Sequence, residues 1–168
     1  MVATATNMEV PVGSVVYDIN TQANEIVKEY VIYSMGTGFV PLPIIDLIGL
    51  VGLQIKMVHS LSKLYDIPFS EERVKGILYS LLGGVLSIAG AGLLASAVKV
   101  IPIIGQVAGS ASMASLGGAS TYAIGRIFVK HFEEGGNLEN LDVNSAKEDL
   151  KSNINTAKTT AKNIQKES

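Results

Sequence analysis

The sequence predicts an all-α fold, with four long helices arranged as two helical hairpins and an amphipathic helix at the C-terminus. Apolar residues recur at helical spacing along most of the chain. Two similar segments, Pro43-Ile-Ile-Asp46 and Pro102-Ile-Ile-Gly105, each begin with a proline and open a long apolar run, as a duplicated hairpin would. The stretch between Glu72 and Glu133 has no acidic residue and is dominated by small and aliphatic side chains, which indicates closely packed helices.

The first helix is expected to follow a polar, flexible N-terminus of residues 1–13. Ser14 is a suitable N-cap, and Gly36-Thr37-Gly38 is expected to end the helix. The helical spacing between them is carried by the apolar residues Val16, Ile19, Ala23, Ile26, Val27, Tyr30 and Val31.

A rigid turn containing Pro41 and Pro43 separates the first helix from the second. Pro43 suits the first turn of a helix, and Asp46 places a negative charge near the positive end of its dipole. This second helix is expected to run to about Tyr65. Ser70, followed by two glutamates, then predicts the start of a third helix that reaches about residue 98.

The fourth helix is predicted to follow the turn at Pro102 and to end at Gly135-Gly136. Behind it, the segment Ser145-Ala-Lys-Glu148 has the pattern of a capping box. The tail therefore predicts a weak amphipathic helix whose apolar positions alternate between spacings of four and three: Ala146, Leu150, Ile154, Ala157, Ala161 and Ile164. Three predicted regions result, namely a flexible N-terminus (1–13), a helical domain (14–136) and an amphipathic tail (137–168).

Small residues predict close contact between the third and fourth helices. Glycine inside a helix lowers its stability in water by about 0.5–1 kcal/mol relative to alanine, so a run of glycines indicates a neighbour that needs the space. We expect these two helices to pack together and with copies of the chain through Gly83, Ser87, Ala91, Ala95, Gly105, Gly109, Ala114 and Gly118.

The same two helices leave membrane insertion open. Residues 77–98 and 100–125 have no charged side chain, and each run could cross a hydrocarbon layer of about 30 Å. Their small and polar residues make each run only weakly apolar, so a buried core within a soluble bundle fits equally well. Basic residues near both ends of such a hairpin would place those ends in the cytoplasm.

The sequence lacks the residue patterns of nucleic-acid-binding, metal-binding and catalytic sites. The net charge of −2 gives no basic footprint for nucleic acid, and the absence of cysteine excludes disulfides and thiolate metal sites. The N-terminus lacks the charge and apolar core of a secretory signal. His59 and His131 have no second ligand at helical spacing, and no phosphate-binding loop or nucleophile motif occurs. We therefore expect no catalytic, cofactor or metal site.

Residues 25–134 resemble the bacterial family catalogued as domain of unknown function 697. In the second helix the resemblance lies in Pro41, Pro43, Asp46, Leu50, Gln54, Met57, Leu61 and Tyr65. Further along, it lies in Pro102 with Gly105, in Tyr122-Ala-Ile-Gly125, and in Phe128 and Phe132. Members of this family follow GTPase domains or are inner-membrane proteins of the YcjF type, and this sequence contains no GTPase domain. The resemblance implies a membrane-associated helical module beside a GTPase encoded elsewhere.

Two functional hypotheses follow. The first is a non-enzymatic helical scaffold or anchor, at the cytoplasmic face of the inner membrane or integral to it, with membrane lipid, its own copies and a GTPase as partners. The alternative is a soluble helical-bundle module that recruits a partner through its C-terminal tail. A third class, a ligand-binding protein or enzyme with a lipid-sized apolar cavity, has the least support from the residues.

Overall fold

The computed structural model describes residues 19–36, 43–96 and 105–167, and the side chains of residues 19–36, 48–83 and 117–167. These residues form five helices and no strand: α1 (Ile19–Gly36), α2 (Pro43–Leu64), α3 (Glu71–Ser96), α4 (Gly105–Glu133) and α5 (Val143–Glu167). The predicted all-α class is confirmed. The predicted N-cap Ser14 and the turn prolines Pro41 and Pro102 lie outside the described residues.

Several helix ends follow the residues that predicted them. Pro43 is the first residue of α2, and the hydroxyl of Ser70 accepts a hydrogen bond from the Arg73 amide at 3.3 Å at the start of α3. At the end of α4, the Gly136 amide donates to the His131 carbonyl (2.8 Å) and the Gly135 amide to the Phe132 carbonyl. Gly135 has φ of 81°, and these two hydrogen bonds form a Schellman motif. Helix α4 therefore ends at the glycines that predicted its end.

The end of α2 has the same hydrogen-bond pattern without a glycine. The Ile67 amide donates to the Ser62 carbonyl at 2.8 Å, and Asp66 takes the left-handed position with φ of 55°. Aspartate tolerates this conformation better than most residues because its short side chain can bond locally. The reversal from α2 to α3 therefore depends on a non-glycine residue in a strained backbone region.

The start of α5 differs from the prediction. The carboxylate of Asp142 accepts hydrogen bonds from the Asn144 and Ser145 amides and from the Ser145 hydroxyl (2.7 Å), so Asp142 is the N-cap. The predicted capping box at Ser145 and Glu148 was wrong by one helical turn. An aspartate cap satisfies two amide donors directly, and the hydroxyl of Ser145 is used to hold that cap.

Pairs of neighbouring residues fix the helix directions. Met35 lies beside Gly118 and Val27 beside Gly125, so α1 and α4 are antiparallel. Gln54 lies beside Thr121, and Tyr65 beside Phe132, so α2 and α4 are parallel. The largest fully buried side chains come from all five helices and include Val27, Met57, Leu61, Leu78, Leu81, Ile124, Phe128 and Leu150.

The described packing partners of α3 and α4 lie mainly on other helices, and the predicted pairing of these two helices stays a prediction, because most of its residues have side chains outside the described set. In the described residues α4 packs mainly against α5 and α1, while α3 packs mainly against α5 and α2. The arrangement as two hairpins is not confirmed, and the connection at residues 97–104 lies outside the described ranges. None of the helices, over the parts that the structure describes, combines the length and apolarity that crossing a bilayer requires.

Candidate functional site

The family motif of α2 forms a seam with α4, and we call this contact the α2–α4 seam. Gln54, Met57 and Leu61 recur at spacings of three and four on one face of α2, and all three are fully buried. Tyr65 extends the same face at the end of the helix. Apolar and polar motif residues thus share one interface inside the bundle.

Gln54 carries the polar chemistry of the α2–α4 seam. Its Nε2 amide donates to the hydroxyls of Thr121 (3.3 Å) and Ser120 (3.5 Å), and the Ser120 hydroxyl itself donates to the Gly117 carbonyl. Its Oε1 oxygen is buried and has no hydrogen-bond partner among the described residues. A buried amide that is only half satisfied stabilises the fold little, because its orphaned oxygen has lost its hydration.

Two glycines of α4 allow α1 and α2 to approach its backbone. A Cβ atom on Gly118 would lie 2.6 Å from Met35 Cε, and a Cβ on Gly125 would lie 2.7 Å from Val27 Cγ2 and 3.2 Å from Met57 Sδ. The contacts with Met35 and Val27 are shorter than carbon atoms tolerate. Gly118, which was predicted to pack against the third helix, lies against Met35 of α1 in the described residues.

The far end of the seam is aromatic and partly polar. The Tyr65 ring lies 5.7 Å from that of Phe132, which in turn lies 5.7 Å from Phe128. The Tyr65 hydroxyl donates to Glu133 Oε1 at 3.4 Å. Burial, followed by the nearby Glu133 carboxylate, raises the pKa of Tyr65 to about 12, so this hydroxyl remains a neutral donor at physiological pH.

On its other side α4 is covered by α5. The apolar seam of α5 buries Ala146, Leu150, Ala157 and Ala161, so the tail docks on the bundle. A groove of about 410 Å³ remains between the two helices, and its polar lining includes Arg126, Lys130, Glu133, Asp149 and Asn153. Arg126 reaches out of it to α1, where it donates to Asn24 Oδ1 at 2.6 Å.

The loop between α4 and α5 is held by hydrogen bonds. Arg73 of α3 donates from Nε to the Leu138 carbonyl (3.1 Å) and from Nη2 to the Glu139 carbonyl (3.0 Å). His131 Nε2 lies 2.9 Å from both the Asn137 carbonyl and Asn140 Oδ1. No group of three His, Asp or Glu side chains in the described residues could hold a metal ion.

The structure describes the surroundings of only two of the eight predicted packing residues, Gly83 and Gly118. Gly83 is exposed on α3, and a Cβ built on it would meet nothing within 4 Å. The other six predicted packing residues lie in the helices but have side chains outside the described set: Ser87, Ala91, Ala95, Gly105, Gly109 and Ala114. The side chains of the motif residues Pro43 and Asp46 also lie outside it.

Sequence reasoning missed the role of α1 in the close contact. Val27 and Val31 belong to the predicted apolar face of the first helix, but spacing alone does not say which helix that face contacts. It also missed the hydroxyls of Ser120 and Thr121 as partners of Gln54. A glutamine on the same helix face as the apolar Leu61 was the available signal, since a buried amide needs polar partners.

Comparisons with known proteins identify the family of this chain. The model of the family described as "Domain of unknown function (DUF697)" matches residues 14–159. The chain is 36% identical over 143 residues to "Magnetosome membrane protein 22" of Magnetospirillum gryphiswaldense, covering 84% of this chain and 73% of that protein. No solved structure matches the chain. The family match reaches into all five helices, and the chain belongs to the DUF697 family.

Proposed function

We propose that this protein is a non-enzymatic, membrane-associated helical scaffold that associates with its own copies. The observation that carries the proposal is the likeness to a magnetosome membrane protein, which extends over most of both chains. The description of the family names no activity. The polar groups of the α2–α4 seam are used in packing, which supports a structural role for the motif.

The outward faces of α2 and α3 support self-association. Ile48 is 67% exposed on α2 and Tyr79 is 60% exposed on α3. Glycines lie beside both on the same helices, at Gly49, Gly52, Gly76 and Gly83, and a Cβ added at any of them would meet nothing within 4 Å. Glycines with open space above them, next to large apolar side chains, let another helix approach closely.

The alternative of partner recruitment through the C-terminal tail has less support. The apolar seam of α5 is already buried against the bundle, so a partner would contact its polar face or displace it. A GTPase partner is part of our proposal through the family resemblance. Affinity purification of the tagged chain should then enrich a GTPase, and the enrichment should differ between GDP and a non-hydrolysable GTP analogue.

Fractionation of cells tests the membrane part. We expect the chain in the membrane fraction, and extraction with alkaline carbonate separates surface attachment, which is released, from insertion, which is not. Recovery of the whole protein in the soluble fraction at physiological salt would contradict membrane association.

Cross-linking of membranes tests self-association. Gly76→Leu combined with Gly83→Leu places bulk on the outward face of α3 without touching the core, and should abolish cross-linked dimers while leaving the helical circular dichroism spectrum unchanged. Thr159→Leu places a leucine at an exposed position of α5 and is the control for added surface apolarity. Equal cross-linking by both variants would exclude this face as the contact.

A further inference from the structure

All five lysines of α5 lie along one edge of the helix, and we call this edge the lysine row: Lys147, Lys151, Lys158, Lys162 and Lys166. At 3.6 residues per turn, their spacings place them within an arc of about 100°. At a rise of about 1.5 Å per residue, the row is about 28 Å long. Five like charges on one edge form a local cationic strip on a chain whose net charge is −2.

The lysine row is available for an external partner. The ion pairs found among the described residues are Lys28 with Glu167, Arg73 with Glu139 and Lys75 with Glu71, and none uses a lysine of the row. Within the row, the side chain of Lys158 is half-buried, whereas those of Lys151 and Lys162 are exposed.

The docked position of α5 holds the row in place. Because Leu150, Ala157 and Ala161 are buried against the bundle, the helix cannot rotate freely about its axis. Of the acidic residues of α5, Glu148 lies at one margin of the lysine arc, and Asp149 and Glu167 lie about 100° beyond it. The row therefore presents cations on one side without interspersed carboxylates.

We propose that the lysine row binds the anionic headgroups of a lipid surface while α5 stays docked. A straight row of flexible ammonium groups matches a plane of negative headgroups, and each lysine near such a surface strengthens binding about fivefold. Helix α5 contains no arginine and no aromatic residue, so it lacks the planar groups that stack on nucleic-acid bases. The inference rests on the proposed membrane association and specifies the lipid class and the residues.

Vesicle sedimentation with the full-length protein tests the inference. The probes are vesicles of phosphatidylcholine alone and of equal parts phosphatidylcholine and phosphatidylglycerol, at low and physiological salt. Lys151→Gln combined with Lys162→Gln should weaken binding to the anionic vesicles about 30-fold. The control, Lys56→Gln with Lys63→Gln, removes two exposed charges from α2 and should change binding less than about threefold.

Each outcome decides the inference. Equal loss in both double variants, or equal binding of the unaltered protein to neutral vesicles, would overturn it. Row-dependent binding to an RNA oligonucleotide without binding to anionic vesicles would also overturn it and assign the row to nucleic acid. If the α5 variant loses vesicle binding only as much as the control does but both remain in the cellular membrane fraction, the lipid contact lies elsewhere and the proposed membrane association stands.

Discussion

Helix α4 is packed on its two sides in different ways. Towards α1 and α2, the glycines of α4 let neighbouring side chains contact its backbone directly. At Gly125 these side chains are Val27 and Met57. Towards α5, the buried side chains of α5 are three alanines and one leucine, with Ile154 and Ile164 partly buried and a polar groove beside the contact. The first contact has no room for an added atom, whereas the second has space and is bordered by side chains that can move.

The two contacts also depend differently on the helices themselves. Glycines weaken α4 as an isolated helix, so its stability comes from the neighbours that fill the space. Helix α5 contains no glycine and no proline, and it begins at an aspartate cap. We therefore expect the α1–α4 contact to unfold with the whole bundle and the α5 contact to open locally.

The largest effect is expected for Gly125→Leu. The Cβ alone would lie 2.7 Å from Val27 Cγ2, and valine is stiff at χ1 in a helix, so the helices must separate. We expect the free energy of unfolding to fall by more than about 3 kcal/mol, measured by denaturant titration. Gly125→Ala should lose about 1–2 kcal/mol, because better helix propensity offsets part of the clash.

Alanine variants of two other glycines test the same difference between closely packed and open positions. Gly76→Ala, in open space on α3, should stabilise the protein by about 0.5–1 kcal/mol through helix propensity alone. Gly118→Ala should lose less stability than Gly125→Ala, because the Met35 side chain that it meets is flexible, although Met35 Cγ, at 2.8 Å from the new Cβ, must shift together with Cε. If Gly125→Ala were as stable as Gly76→Ala, the α1–α4 contact would be looser than described.

The second prediction concerns α5. Leu150→Ala removes the one fully buried large side chain from its seam and should lower stability by about 2–3 kcal/mol. Hydrogen exchange should become faster in α5 before it changes in α1 or α2. Ser152→Ala, at an exposed position on the same helix, is the matched control. Uniform acceleration in all helices would show that α5 is not a separate unit.

Much of this fold could be predicted from the sequence, because helix boundaries are set locally. Pro43, Ser70 and Gly135 act through their own backbone geometry or hydrogen bonds, and the boundaries they predict are confirmed. Helix pairing depends on which faces meet across the bundle, and spacing does not encode this. The sequence therefore indicates Gly118 as a packing residue without indicating its partner on α1.

The third prediction tests whether Gln54 contributes to stability. Gln54→Met keeps the shape of the side chain and removes the buried oxygen that has no partner among the described residues, so stability should rise by about 1 kcal/mol. Gln54→Ala leaves a cavity and should lose about 2–3 kcal/mol. A large loss in the methionine variant would show that the bonds to Ser120 and Thr121 outweigh the orphaned oxygen.

The smallest effect is expected at the start of α5, where pH distinguishes two possible caps. Hydrogen bonds from the Ser145 hydroxyl and amide, and from the Asn144 amide, lower the pKa of Asp142 below its ordinary value of 3.8. The contribution of this carboxylate to stability is therefore full above that value and is lost as the pH falls through the lower native-state pKa. Asp142→Ala should lower the melting temperature by a few degrees at neutral pH and by less in acid, whereas Asp142→Asn should keep most of the cap at both. Glu148→Ala should have almost no effect, because the helix already begins at Val143; a loss equal to that of Asp142→Ala would restore the capping box that the sequence predicted.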